Sequence, residues 1–197
     1  MKIGVLALQG DFREHLDAVK ASGNAAFSVR RLEELLEVEA LIIPGGESTT
    51  IAKLARTFGI FDAIKDRIRS GMPTYGSCAG MILLADRLSN PAPDQLTFGG
   101  IDMVVRRNAF GRQVDSFESQ IDFAGNRLHA VFIRAPWVDS IGEGVEVLAN
   151  VKLADGTSHP VAVKQANLLA TSFHPELTSD LSVHSYFFEQ MCKSPIK

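Results

Sequence analysis

Ile3-Gly4-Val5-Leu6-Ala7-Leu8, closed by Gln9-Gly10, is a short unbroken apolar run. A run of that length suits a strand buried on both faces, and such strands belong inside parallel sheets. The reading therefore places this first strand at the centre of the sheet. Asp11 and Glu14 have the spacing of a capping box, and Phe12, Leu16 and Val19 lay an apolar stripe along the helix that follows, which Gly23 ends. His15 lies in the middle of that helix and is expected at a surface.

The pattern then repeats. Phe27 to Arg30 reads as a strand, Leu32, Leu35 and Leu36 mark a short charged helix, and Ala40-Leu41-Ile42-Ile43 is another buried strand. This βαβαβ order implies a parallel sheet with right-handed crossovers. Pro44-Gly45-Gly46 breaks the third strand. Ile51, Leu54, Ala55 and Phe58 mark the next helix, Gly59 stops it, and Phe61, Ile64 and Ile68 mark another. Pro73-Thr74-Tyr75 is a brief strand, and Ala79 to Ala85 is apolar all round, hence a buried helix.

Beyond residue 100 the texture becomes β-rich and partly antiparallel. Val104–Arg106, Ser116–Phe123, Leu128–Arg134, Val145–Leu153 and Pro160–Leu169 are strand-like, with Asp155-Gly156 a hairpin turn. A last helix carries Val183, Phe187 and Met191 on one face. Ser89–Thr97 reads as a loop too short to divide domains, so the expectation is a single domain over residues 1–197.

Composition narrows the function classes. The 197 residues are 46% hydrophobic and 22% charged, with 23 acids and 20 bases well mixed and a net charge of -3, which leaves no basic block for nucleic acid. Only Lys2 precedes the first apolar run and Asp11 cuts it short, so neither a signal peptide nor a membrane span is expected. Two cysteines, Cys78 and Cys192, form no disulfide framework and fit a reducing, cytoplasmic setting. No Cys/His cluster has zinc-like spacing, and neither a metal nor a cofactor is implied.

Gly76-Ser77-Cys78-Ala79-Gly80 sits between a strand and a buried helix, the context of a nucleophile elbow. A helix N-terminus there would favour a thiolate and aim backbone N–H groups at an anion. The plain alternative is a small buried cysteine in a tight turn. A thiolate needs a base that can also protonate the leaving group. Among five histidines, His129, His159 and His184 lie in ordinary patterns, whereas His174 ends an apolar run and is followed by Pro175-Glu176. Glu176 either orients that imidazole or caps the turn.

Pro44-Gly45-Gly46-Glu47-Ser48-Thr49 leaves backbone N–H groups open to a ligand, as an oxyanion hole requires, or is a plain turn whose Ser/Thr residues cap a helix. It lacks the spacing of a phosphate loop. Arg107 and Arg134 lie at strand ends, where a guanidinium either holds a substrate carboxylate or is simply solvated.

Taken together, these residues resemble the class I (triad) glutamine amidotransferases, and within them the glutaminase subunits of pyridoxal 5′-phosphate synthases. The segments Leu6–Gly10 with Arg13-Glu14-His15, Pro44–Thr50, Gly76–Met81, Arg107–Glu118, Phe132–Pro136 and Ser172–Thr178 carry the resemblance. It implies a flavodoxin-like three-layer α/β fold with a central, mainly parallel sheet. It also implies a Cys78-His174-Glu176 triad that hydrolyses L-glutamine to glutamate and ammonia through a thioester. Gly46 and Ala79 are the candidate oxyanion donors, and Gly46, Glu47, Ser48, Arg107, Ile133 and Arg134 the glutamine contacts. Gln9 matches a position near the oxyanion hole and the subunit interface. The implied partner is the synthase subunit of a hetero-oligomeric complex, which takes the ammonia for vitamin B6 biosynthesis. Two rival readings are a cysteine hydrolase or protease on a similar elbow, and a non-catalytic regulatory subunit with a vestigial site.

Overall fold

The computed structural model describes residues 1–110, 116–153 and 155–192. Its first half alternates β1 (Lys2–Leu6), α1 (Phe12–Ala21), β2 (Ala25–Val29), α2 (Leu32–Leu36), β3 (Ala40–Ile43), α3 (Ser48–Thr57), α4 (Phe61–Arg69), β4 (Thr74–Ser77) and α5 (Ala79–Leu84). The second half runs β5 (Ala85–Leu88), β6 (Ile101–Arg106), β7 (Ser116–Phe123), β8 (Asn126–Ile133), β9 (Trp137–Ile141), β10 (Glu146–Lys152), β11 (Ser158–Gln165) and β12 (Leu168–Thr171). A 3₁₀ turn at Pro175–Leu177, α6 (Ser182–Tyr186) and a π turn at Phe187–Met191 follow.

The main sheet has the order β10-β11-β12-β4-β3-β1-β2. Its β2-β1-β3-β4-β12 portion is parallel, and β11 and β10 extend it antiparallel. That parallel order is the flavodoxin-like one, in which ligands bind beyond the carboxyl ends of the strands. Two smaller sheets, β5-β6-β9 and the β7-β8 hairpin, carry the rest of the β-rich half.

Strict side-chain alternation explains why the strands read as continuous apolar runs. Leu41 and Ile43 of β3 join one core with α3, α4 and α5, whereas Ala40 and Ile42 join a second core with α1, α6 and the β7-β8 hairpin. Both faces of the strand are covered, so its alternation carries no polar residue. Each buried Leu or Ile side chain contributes about 1.5–3 kcal/mol relative to exposure. The six residues of α5 are all buried, as an apolar helix demands. Among the described residues no helix is long and apolar enough to cross a membrane.

Four expectations need correction. β1 is interior but lies next to the edge strand β2, and the middle strand is β4. The span Pro160–Leu169 is two strands, because the chain turns at Ala166 (φ +49°) and Asn167 donates its side-chain amide to the Gly71 carbonyl at 3.0 Å. Asp11 makes no side-chain cap on α1, so the Asp11/Glu14 capping box does not form. His15 is fully buried, on the face of α1 turned toward α6. Strands β5 and β9 carried no clear signal in the sequence.

The chain also packs backbone to backbone under β4. A Cβ on Gly80 would stand 2.3 Å from the Ile43 carbonyl oxygen, and one on Gly76 would stand 2.5 Å from the Gly80 backbone. Backbone cannot yield as a side chain can, so Gly80→Ala is expected to cost about 3 kcal/mol in urea denaturation. Gly59→Ala serves as the comparison: its added Cβ meets nothing within 4 Å and only its φ of +69° opposes the change. That substitution should cost about 1 kcal/mol.

Candidate active site

β4 ends at Ser77, and Cys78 then takes φ +48°, a left-handed conformation rare for a residue with a side chain. The Cys78 N–H donates to the Thr171 carbonyl of β12 at 2.8 Å, which fixes the turn against the neighbouring strand. Its Sγ lies 3.9 Å from the Ile133 carbonyl oxygen at the end of β8. Ala79 opens α5, where the first N–H groups of a helix have no acceptor within the helix.

β12 delivers His174 to the same end of the sheet, and the His174 N–H donates to the Val131 carbonyl at 2.9 Å. Glu176 follows in the 3₁₀ turn with its side chain fully buried. His174 Nδ1 and Glu176 Oε1 are 2.8 Å apart, while Nε2 has no hydrogen-bond partner among the described residues. Burial works against a charged imidazole, but the Cys78 sulfur and the Glu176 carboxylate outweigh it and raise the His174 pKa to about 10. Burial likewise opposes a charged Glu176, yet His15 and His174 hold its carboxyl well below the usual range.

The Pro44–Glu47 loop at the end of β3 packs against these groups. A Cβ on Gly45 would stand 2.4 Å from His174 Cε1, and one on Gly46, whose φ is +150°, would stand 2.6 Å from Gln9 Oε1. The Glu47 N–H donates to Gln9 Oε1 at 2.7 Å, so Gln9 pins this loop from the end of β1. Glu47, rather than a serine or threonine, caps α3 by accepting from the Thr50 N–H at 2.9 Å. Burial would raise its pKa, but hydrogen bonds from Thr49 and Thr50 lower it.

Arg107 is paired rather than solvated, donating from Nη2 to Glu47 Oε1 at 3.1 Å. Arg134 is exposed and adopts φ +43° directly after Ile133. Together these residues line a cleft of about 400 Å³ that also holds Ser48, Cys78 and His174. Glu176 stands behind His174 rather than in the cleft. Part of the Arg107–Glu118 motif, residues 111–115, lies outside the described residues.

Three participants were not anticipated as site residues. The Asp11 carboxylate, which does not cap its helix, reaches to 3.5 Å from His174 Nδ1, and burial raises its pKa. Ser77 Oγ lies 3.5 Å from Glu176 Oε1. The Ser89–Thr97 loop also arrives here: Gln95 accepts from Ser48 Oγ at 3.3 Å, and Asn90 brackets the Arg107 backbone at 2.7 and 2.9 Å. The Asp11 contact has a signal in the sequence, an N-cap aspartate beside a glycine turn, whereas the loop contacts have none. Asp11, His174 and Glu176 also gather ligand atoms within 4.8 Å of one another, but the His174 and Glu176 atoms are already joined by a hydrogen bond.

A wider groove of about 600 Å³ between the end of α1 and the final helical turns is lined by residues such as Met1, Phe188 and Cys192. Among its described lining residues there is no histidine, and burial pushes the Cys192 thiol up to about 12.

The SNO glutamine amidotransferase family matches residues 5–193. A pyridoxal 5′-phosphate synthase subunit PdxT of Mycobacteroides abscessus is 56% identical over 191 residues, covering 96% of each chain. The protein of the same name from Streptomyces coelicolor is 58% identical over 192 residues, covering 96% of this chain and 93% of the relative. A crystal structure described as a glutamine amidotransferase superposes with a TM-score of 0.86 at 52% identity, covering 95% of this chain and 97% of that one. A glutamine amidotransferase from Thermotoga maritima, at 13% identity and a TM-score of 0.59 over 96% of this chain and 83% of that one, shares the fold.

A histidine pKa raised on folding adds stability below the unfolded value near 6.5 and loses it as the pH climbs through about 10. In an NMR titration the His174 imidazole should therefore stay protonated through neutral pH. Glu176→Gln removes the facing charge and should lower the midpoint by roughly 1–3 units. An unmoved midpoint would show that Glu176 is not what charges the ring.

Proposed function

Because the chain belongs to the SNO glutamine amidotransferase family, we propose that it is the glutaminase subunit of a pyridoxal 5′-phosphate synthase, hydrolysing L-glutamine to L-glutamate and ammonia. The observation that carries the reading is the meeting of Cys78, at the elbow after β4, with His174, after β12, on one cleft at the carboxyl end of a parallel sheet, with Glu176 behind the imidazole.

In this reading Cys78 Sγ attacks the side-chain amide carbon of glutamine. Negative charge develops on the carbonyl oxygen, and the Gly46 and Ala79 N–H groups are the donors proposed to receive it. His174 enters charged, so Nε2 already holds the proton that leaves with ammonia when the C–N bond breaks. Water then attacks the thioester, Nε2 takes a proton from it, and Cys78 Sγ leaves without a proton as glutamate is released, so that the imidazole is charged again and the starting state is restored. Glu176 orients the imidazole through Nδ1 and steadies its charge.

Gly46, Glu47, Ser48, Arg107, Ile133 and Arg134 are the proposed glutamine contacts. Their position around the cleft supports the assignment, and the Arg107–Glu47 pair offers opposite charges to the two ends of an amino acid. In the free chain Gln9 holds the Glu47 N–H, which supports a role for Gln9 in setting the conformation of the oxyanion loop. Residues 1–197 act as one glutaminase domain, working in the cytoplasm with a synthase subunit that receives the ammonia. Direct transfer has a physical reason, since ammonia released into neutral water becomes ammonium and ceases to be a nucleophile.

The test is glutamate formation from L-glutamine, with and without the pentose-using synthase subunit. Turnover should rise with the partner and fall more than about a thousandfold in Cys78→Ala, with the fold and partner binding retained. Retained activity in Cys78→Ala would remove the thiol from the mechanism. Silence of the wild-type complex would favour a binding subunit.

A further inference from the structure

His15 on α1 and His184 on α6 are both fully buried, and their Nδ1 and Nε2 atoms are 2.9 Å apart. On its other side His15 Nε2 lies 3.0 Å from Ser77 Oγ and 3.4 Å from Glu176 Oε2. Ser77 Oγ is 3.5 Å from Glu176 Oε1, the oxygen that faces His174 Nδ1 at 2.8 Å. A chain of side chains thus runs His184, His15, Ser77 and Glu176 to His174, with Tyr75 edge-on to both histidine rings at 5.9 Å.

We infer that His15, held by His184, is a positioning residue of the glutaminase site, acting through Glu176 to keep the His174 imidazole oriented; the inference rests on the function proposed above.

Proton placement decides what His15 offers its neighbours. One imidazole of a facing pair must donate and the other accept. Burial, reinforced by the neighbouring His15, keeps His184 uncharged, with its pKa near 3. His184 can then donate Nε2–H to His15 Nδ1, leaving the His15 proton on Nε2. Alternatively, a doubly protonated His15 donates Nδ1–H to His184 and still carries Nε2–H. The remaining arrangement would have Ser77 Oγ donate to an unprotonated Nε2, which turns that hydroxyl proton away from Glu176 and sets the nitrogen lone pair 3.4 Å from a carboxylate oxygen, and electrostatics disfavours it. Both favoured arrangements aim an N–H from His15 toward Ser77 and Glu176.

Glu176 needs that donor. Oε1 serves His174, while Oε2 is buried and makes no hydrogen bond of good geometry among the described residues, and the His15 Nε2 edge stands 3.4 Å from it. A carboxylate held at one oxygen can rotate, whereas one faced at both oxygens presents Oε1 to Nδ1 in a fixed plane. The titratable groups around the pair are Asp11 just before α1, Tyr75 of β4, Cys78 at the elbow, His174, and His184 of α6.

The experiment compares His15→Gln, His15→Asn and His15→Leu in complex with the synthase subunit, reading kcat, KM and the His174 NMR midpoint, with Cys78→Ala as the inactive control. A Gln amide reaches the Nε2 position and keeps the donor toward Glu176, while Asn reaches only the Nδ1 position. The expectation is a fall in kcat of about 10–100-fold in Leu and Asn with KM within about twofold, and a lower His174 midpoint in both. His15→Gln should recover kcat to within about fivefold of wild type and restore the midpoint. Equal kcat losses in Gln and Asn, or a midpoint that none of the substitutions moves, would overturn the inference and leave His15 a packing residue. If His15→Leu fails to fold, the Gln–Asn contrast decides. If the wild-type complex shows no glutamine turnover, the functional reading fails by itself, and the His174 midpoint alone tells whether His15 orients the pair.

Discussion

A left-handed backbone at Cys78, φ +48°, is the constraint on which the site depends. Such a conformation costs about 1–3 kcal/mol at a residue with a side chain and persists only where its surroundings over-determine it. Here they do. The Cys78 N–H is committed to β12, the helix behind it is buried on every side, and Gly76 and Gly80 let β4, α5 and the end of β3 meet backbone to backbone. Because β4 is the middle strand, the thiol emerges between the glycine loop that follows β3 and the histidine that follows β12.

A second constraint is electrostatic. Glu176 is a carboxylate with a fully buried side chain, and an isolated buried charge would be strongly unfavourable. Its neighbours make it tolerable: His174 on one oxygen, Ser77 at longer range, and His15 beside the other. The same contacts that hold the acid ionised also charge the imidazole, so burial of the pair and its readiness for proton transfer are one arrangement.

Much of this was legible in the sequence. Short apolar runs marked β1 and β3 because both faces of those strands are covered, and the G-x-C-x-G elbow and His174-Pro175-Glu176 lay where strand ends meet the cleft. What stayed illegible was what depends on contacts between distant segments. His15 sits on a helix whose apolar stripe is carried by other residues, and the approach of α6, β4 and the Glu176 turn buries it. Asp11 looked like a cap because caps share its residue type and position, but its carboxylate is drawn toward His174 instead. Asn90 and Gln95 occupy a loop without periodicity, and nothing local tells that the loop folds back over Arg107 and Ser48. The strand-like span ending at Leu169 hid a turn because Ala166, which takes the positive φ, carries no turn signal of its own.

The parallel pairing of β4 with β12 is also the contact of greatest sequence separation in the main sheet. Ser77 and Glu176 are 99 positions apart, whereas β1 to β4 gather through short crossovers and β10 to β12 through hairpins. Long-range parallel pairing is the slow class of contact, since the loop it closes must be ordered before the contact returns anything. During synthesis the elbow strand is made well before its partner strand, and the thiol has no imidazole beside it in that interval. Regain of thiol reactivity after refolding would therefore report the last long-range pairing of the main sheet, a kinetic marker that far-ultraviolet measurements of helix formation would miss.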